Sequence, residues 1–202
     1  MTAKKFISIL NRKGYSYEME GDKIIITCDF GIWFEKLSSL PPNVHFNNRG
    51  NVHLESITSL PHGIEFNNSG GIVMERLTEL PSDVVFNNSS RTFMGITTEA
   101  DIQLKGLREL NPDVNLGNCH NLLLSSITQL PYGYRFNNSR NVNLASLTSI
   151  SPGVEFNNGG NVNLDSLMGK GKRFWLRDWK GNTEDVNPNR LLNTMIKQGM
   201  FI

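Results

Sequence analysis

Apolar residues recur along the chain with a period of about twenty residues, and polar residues fill the positions between them. The clearest copy begins at Phe46 and has apolar residues at 52, 54, 57, 60 and 64 before Phe66 opens the next copy. A fixed short period is typical of a solenoid, in which each turn buries its apolar side against its neighbours. Apolar residues two apart around a polar one predict a strand with one buried face. The pattern therefore predicts a parallel β-solenoid with two short strands in each turn.

The repeats span residues 26–167, and the two flanking segments follow other patterns. In residues 1–25, Phe6, Ile9 and Leu10 have helical spacing, Gly14 is typical of a helix end, and an alternating segment predicts a hairpin. Residues 168–202 begin with a Trp-rich segment, and Asn187-Pro188 then predicts the start of a helix. We expect an N-terminal α/β cap and a C-terminal helical cap, because the ends of a repeat array expose strand edges and core.

The repeat is broken once, in residues 86–101. A turn begins at Phe86, but a second matching pattern begins ten residues later at Ile96 and continues in register. We therefore expect a bulge or a looped-out segment here, within an array of seven to eight turns.

One position of the repeat is asparagine in six turns, namely Asn48, Asn68, Asn88, Asn118, Asn138 and Asn158. Asparagine tolerates bends, and its amide can bond to backbone groups that a corner leaves unpaired. Stacked asparagines can also bond to one another along a parallel array. These residues are predicted to form a structural ladder and not a binding row.

Function on a repeat scaffold is expected at its variable outward positions. The residue between the two buried strand positions reads His53, Val73, Phe93, Gln103, Leu123, Asn143 and Asn163 in the order of the repeats. Val73, Phe93 and Leu123 are predicted to form an apolar partner-binding patch, because such patches usually mark interfaces. The alternatives are that a cap or the irregular segment covers them, or that β-propensity alone selected them. Trp175, Arg177 and Trp179 are further candidates, since Trp and Arg are favoured at hot spots, although they also suit the core of a cap.

Composition and motifs narrow the function classes. The formal charge of +1 lacks the basic field of general nucleic-acid binders, and no apolar run is long enough to span a membrane. Cys28 and Cys119 fall in different turns and are not expected to pair, which predicts a reducing, cytoplasmic location. No phosphate loop, nucleophile elbow or metal-ligand spacing is present, so neither an enzyme nor a cofactor or metal site is predicted.

Residues 57–74 and 147–164 carry the repeat most clearly, with its Leu-Pro corner, Phe-Asn-Asn and the following Val-x-Leu. In these features the chain resembles the short leucine-rich-repeat-like proteins of bacteria and their phages. The resemblance implies a curved or prism-like solenoid that binds other molecules through its surface, and it implies no reaction.

The leading hypothesis is a non-catalytic protein-binding scaffold, which in a phage or prophage would inhibit a bacterial defence or regulatory protein. A second hypothesis is sequestration of a nucleotide or another anion, held near Arg49, Arg140, Lys170 and Lys172. A third is a structural module that associates with itself.

Overall fold

The chain folds into a mainly parallel β-solenoid of about six turns, which confirms the predicted fold class. The computed structural model describes residues 1–88, 92–93, 96–97, 100–168 and 190–199.

The strands are short, mostly of two residues, and most turns contribute two of them. In chain order they are β1 (Tyr17–Glu20), β2 (Lys23–Ile26), β3 (Ile32–Trp33), β4 (Val44–Phe46), β5 (Val52–His53), β6 (Glu65–Phe66), β7 (Ile72–Val73), β8 (Val85–Phe86), β9 (Thr92–Phe93), β10 (Ile96–Thr97), β11 (Ile102–Gln103), β12 (Leu122–Leu123), β13 (Arg135–Phe136), β14 (Val142–Asn143), β15 (Glu155–Phe156) and β16 (Val162–Asn163). The helices are α1 (Ala3–Lys13), α2 (Asp165–Met168) and α3 (Arg190–Lys197).

Two faces of the solenoid carry the strands. One face is a seven-stranded sheet in the order β16-β14-β12-β11-β7-β5-β3, and its neighbouring strands are parallel. The other face is a five-stranded sheet, β1-β2-β4-β6-β8, which starts with the antiparallel hairpin β1–β2 and continues in parallel. After the irregular turn the second face resumes as the separate pair β13–β15.

The irregular turn places a short antiparallel pair outside both main sheets. Ile72 pairs directly with Ile102, so the seven-stranded sheet continues across the irregular segment. Within that segment β9 pairs with β10, and Phe93 lies opposite Ile96. Since a regular turn needs about twenty residues to encircle the core, ten additional residues cannot form a turn of their own.

The interior consists of columns of identical or similar side chains stacked along the solenoid axis. Phe66 lies between Phe46 and Phe86, with ring centroids 5.0 and 5.1 Å apart and nearly parallel planes. Phe136 and Phe156 stack in the same way at 5.0 Å. Because these rings are almost fully buried, every turn contributes to a continuous apolar core.

Helix α1 closes the N-terminal end, in the segment for which the sequence predicts a helix. Its buried residues Phe6 and Leu10 face the first turn, where the Phe6 and Phe34 rings lie 5.5 Å apart. The helix ends at Gly14, which adopts the left-handed conformation with φ 68°. An exposed core end is thereby covered with apolar contacts.

Helix α3 lies near the other end, where Leu192 and Ile196 are buried in the core and Asn193 bonds to strand β15. Asn193 Oδ1 accepts a hydrogen bond from the Phe156 backbone N–H at 2.8 Å, and its Nδ2 donates to the Phe156 carbonyl at 2.9 Å. One side-chain amide thus takes the place of a further strand, which satisfies the edge that the last parallel pair would leave open.

Candidate functional site

The outward-facing residues of the seven-stranded sheet form a single column along the solenoid. The strand register places them in adjacent turns. We call this set the outer column; its members are Trp33, His53, Val73, Gln103, Leu123, Asn143 and Asn163. Its character changes from aromatic and apolar at the N-terminal end to amide at the C-terminal end.

The structure does not bring the predicted patch together. Val73 and Leu123 are both half-buried in the outer column, but Gln103 lies between them. Placing Phe93 in this column was wrong, because its strand pairs antiparallel with β10 and not with β7 or β11. The sequence pattern at Thr92 and Met94 imitates a repeat strand, whereas the hydrogen bonds of Ile72 and Met74 go to Asp101 and Gln103.

The other predicted contact residues, Trp175, Arg177 and Trp179, lie outside the described residues. Lys170 and Lys172 do so as well, while Arg49 forms an ion pair with Asp29 at 3.3 Å on an exposed corner.

An aromatic surface that the sequence pattern missed lies at the N-terminal end of the outer column. Trp33 and Phe30 are 44% and 52% exposed, which is unusual for side chains of this size. The Trp33 ring stacks on the His53 ring at 5.5 Å with an interplanar angle of 13°, and His53 is paired with Val73 in the next strand. We call Phe30, Trp33, His53 and Val73 the aromatic surface. Its signal in the sequence is Phe30, which occupies the corner position held by Gly50 and Gly70 in the following turns.

Polar contacts hold the aromatic surface in place. The Tyr15 hydroxyl lies 2.9 Å from the Trp33 backbone nitrogen, whose N–H donates to it. His53 Nδ1 lies 2.7 Å from Glu55 Oε1, which fixes the plane of the imidazole under the Trp33 ring. Little side-chain freedom is therefore left to lose when a partner binds there.

Carboxylates border the outer column in three successive turns. Glu35, Glu55 and Glu75 occupy equivalent positions after their strands, and Lys105 pairs with Glu75 in the following turn. Like charges at the spacing of parallel strands repel one another. Because Lys105 compensates only Glu75, the surface beside the outer column is acidic around Glu35 and Glu55.

A groove lies between the last turn of α1 and the first turn of the solenoid. It has a volume of about 410 Å³. Its lining combines basic, acidic, apolar and aromatic side chains: Ile9, Arg12, Lys13, Trp33, Phe34, Glu35, Lys36 and Leu37. Trp33 therefore belongs both to the aromatic surface and to the wall of this groove.

The buried asparagines bond to backbone carbonyl groups and not to one another. Asn68 Nδ2 donates to the carbonyls of Gly70 at 2.8 Å and Gly50 at 3.1 Å, so that one amide joins two successive corners. Asn138 does the same with Arg140 and His120. Asn48 and Asn158 bond similarly. Asn88 is the exception, since it is fully buried and neither polar atom of its side chain has a hydrogen-bond partner among the described residues.

The amide-to-amide ladder forms one residue earlier in the repeat. Asn67 Nδ2 donates to Asn47 Oδ1 at 3.1 Å, and the preceding asparagines of later turns continue in the same way. Asn118 departs from the predicted column, since it is exposed and donates to the Phe86 carbonyl at 3.3 Å. Cys119 is buried in its place, in the turn where Gly117 replaces the first asparagine.

Two buried side chains have raised pKa values. Burial, with a smaller contribution from Asp101, raises the pKa of the Cys119 thiol to about 12. Burial also raises the pKa of Tyr134, whose hydroxyl donates to the Val114 carbonyl at 2.9 Å. Both groups therefore stay protonated in the folded protein at pH values where an exposed thiol ionises.

We expect the free energy of unfolding to fall as the pH rises above about 9. In the unfolded chain the Cys119 thiol ionises near its usual pKa of about 8.5, whereas in the folded chain it stays protonated, so alkaline pH favours the unfolded state. The loss from this thiol is expected to be about 3 kcal/mol between pH 7 and pH 10.5. Urea unfolding at a series of pH values measures it. Cys119→Ala should make the decrease shallower, and an unchanged slope would contradict the assignment.

The described residues contain no group of three His, Cys, Asp or Glu side chains that could hold a metal ion. His45, for example, pairs with Glu65 at 3.3 Å on the second sheet, and His53 pairs with Glu55. A search of the same residues finds no helix with the length and apolar character needed to cross a membrane.

Comparison with protein-family models, with curated proteins and with solved structures finds no match to this chain. A function for it therefore has to follow from its own residues and geometry.

Proposed function

We propose that the protein is a non-catalytic scaffold that binds a protein partner through the aromatic surface. The observation that carries this proposal is the clustering of Phe30 and Trp33, two of the few large apolar side chains that are exposed among the described residues, at one end of one sheet. Exposed apolar clusters on soluble proteins usually mark interaction sites.

The composition of this surface suits an interface. Trp is enriched at hot spots, where a few buried side chains provide most of the binding energy. His53 and Val73 extend the contact area beside Trp33, and Glu55 provides a polar border. A partner that covers Phe30 and Trp33 would bury the apolar area that the free protein leaves in water.

The solenoid supplies the rigidity that such a site needs. The inner strands of the outer column bond to both neighbouring turns, and the edge strand β3 bonds to β5 and is held by Tyr15. The resemblance to repeat proteins of bacteria and phages makes a bacterial defence or regulatory protein the first partner to test.

The test is an affinity capture from bacterial lysate with the full chain as bait. We expect Phe30→Ala with Trp33→Ala to reduce retention of a specific partner at least tenfold, because two hot-spot side chains contribute about 2 kcal/mol each or more. Tyr132→Ala is the matched control, since Tyr132 is an aromatic residue 78% exposed at another corner. Equal retention by wild type and double variant, both folded, would refute the proposal.

Self-association of the chain is tested in a separate experiment. Multi-angle light scattering of the purified chain over a range of concentrations measures it directly. If the mass rises with concentration and the double variant stays monomeric, the partner of the aromatic surface is a second copy of this chain.

A further inference from the structure

We propose that the groove between α1 and the first turn binds a nucleoside phosphate. This site is additional to the protein-binding role, and the two depend on different residues except for Trp33. The class of ligand follows from three features of the groove: an aromatic ring on which a base can stack, a set of cations, and a limited length.

Trp33 supplies the platform for a planar ring. One face of the indole is covered by His53, which belongs to the following turn. Trp33 lies on the edge strand β3, is 44% exposed and lines the groove, so we infer that the ring face opposite His53 is open to a ligand. A nucleobase stacked there would continue the Trp33–His53 stack by one ring, and aromatic stacking of this kind tolerates any base.

Cations outnumber carboxylates in the lining of the groove. Arg12, Lys13 and Lys36 lie in its wall against the single carboxylate of Glu35. Among the described residues none of these four side chains forms an ion pair. The partial negative charge of about half a unit at the C-terminal end of α1 offsets only part of the excess of three cations over one carboxylate. The lining therefore keeps a net positive charge that attracts phosphate groups.

The remaining lining favours a small ligand over a nucleic-acid chain. Ile9 and Leu37 give the groove an apolar wall, and its volume of about 410 Å³ is within the range of small-molecule sites. A strand of RNA or DNA would need a basic track beyond the groove. The next turn instead presents the carboxylate of Glu55, which would repel a continuing phosphate backbone.

Isothermal titration calorimetry on the full chain tests the site, with ATP and GTP as probes and adenosine and inorganic triphosphate as partial ligands. We expect both nucleotides to bind more tightly than either partial ligand. Trp33→Ala should weaken nucleotide binding about five- to hundredfold, the range given by the loss of one base-stacking contact. Trp33→Phe, which keeps a ring, should lose less.

Charge variants provide the second readout. Arg12→Gln with Lys36→Gln should weaken ATP binding and reduce its sensitivity to salt, while leaving adenosine binding unchanged. Arg135→Gln removes a positive charge from the other sheet, where Arg135 pairs with Glu155, and should have no effect. Thermal unfolding of each variant establishes that it is folded.

Several outcomes would overturn the site. They are absence of ATP and GTP binding at millimolar concentration, equal affinity in wild type and the Arg12/Lys36 variant, or triphosphate binding as tight as that of ATP. Phe30→Ala separates this proposal from the proposed protein-binding function, because it should weaken binding of the protein partner and leave ATP binding intact. Either proposal can therefore fail without the other.

Discussion

Asn138→Asp is expected to lower the free energy of unfolding by about 3–5 kcal/mol, the range for a buried charge left without a partner. The Asn138 side chain is 1% exposed, and its Nδ2 donates to the carbonyls of His120 at 2.8 Å and Asn141 at 3.1 Å. Aspartate has nearly the same shape but no donor. Its carboxylate would face carbonyl oxygens and leave them without hydrogen bonds.

The effect should depend on pH, which separates it from a packing defect. The introduced carboxyl is disfavoured as an anion in the folded state, so its folded pKa lies above the unfolded value of about 3.9. The stability that the protonated form retains is therefore lost as the pH rises through the folded pKa. We expect a smaller difference from wild type at pH 4 than at pH 8, measured by urea unfolding.

The neighbouring residue provides a matched control. Asn137 is exposed, and its Oδ1 accepts a hydrogen bond from Asn157 Nδ2 at 3.2 Å. Asn137→Asp keeps that acceptor and exposes its charge to water, so a change within about 0.5 kcal/mol is expected. Similar losses for the two variants would show that burial of the donor at Asn138 does not account for the effect.

Phe66→Ala is expected to destabilise the protein by about 3–5 kcal/mol, the usual cost of removing a buried aromatic ring. Phe66 is fully buried between two parallel rings, so the vacancy would remove contacts with Phe46 and with Phe86. Since turns contact only their neighbours, the damage should also weaken the interfaces on both sides.

Urea unfolding monitored by circular dichroism measures this loss, and Tyr132→Ala is the control because that ring is exposed. Phe66→Leu should lose less than Phe66→Ala, since leucine fills part of the volume. A loss below about 1 kcal/mol for Phe66→Ala would mean that the neighbouring turns collapse onto the vacancy.

These predictions bear on function because the aromatic surface lies at the N-terminal end of the same stack of turns. Trp33 and His53 are positioned by the strands that enclose the first interior residues. A variant that loosens the core near Phe66 should therefore weaken binding indirectly. Asn138→Asp, which lies in a later turn, should leave binding by the folded protein unchanged.

The sequence alone predicted the parallel solenoid and its two strands per turn. The same apolar pattern recurs in several copies, and Phe46, Phe66 and Phe86 each mark the same interior position. One irregular copy therefore does not obscure the pattern. The helix that ends at Gly14 was likewise readable, because its apolar spacing and its terminator are local features.

Only the tertiary structure decided the register across residues 86–101 and the location of the candidate surfaces. Phe93 and Val73 have similar sequence surroundings, and which of Phe93 or Gln103 pairs with Val73 depends on how the chain closes around the core. Trp33 lies on the edge strand and lines one groove together with residues of α1, a proximity that the repeat pattern does not encode. Repeat periodicity determines which residues face inward, whereas exposure of an outward residue depends on what the rest of the chain places over it.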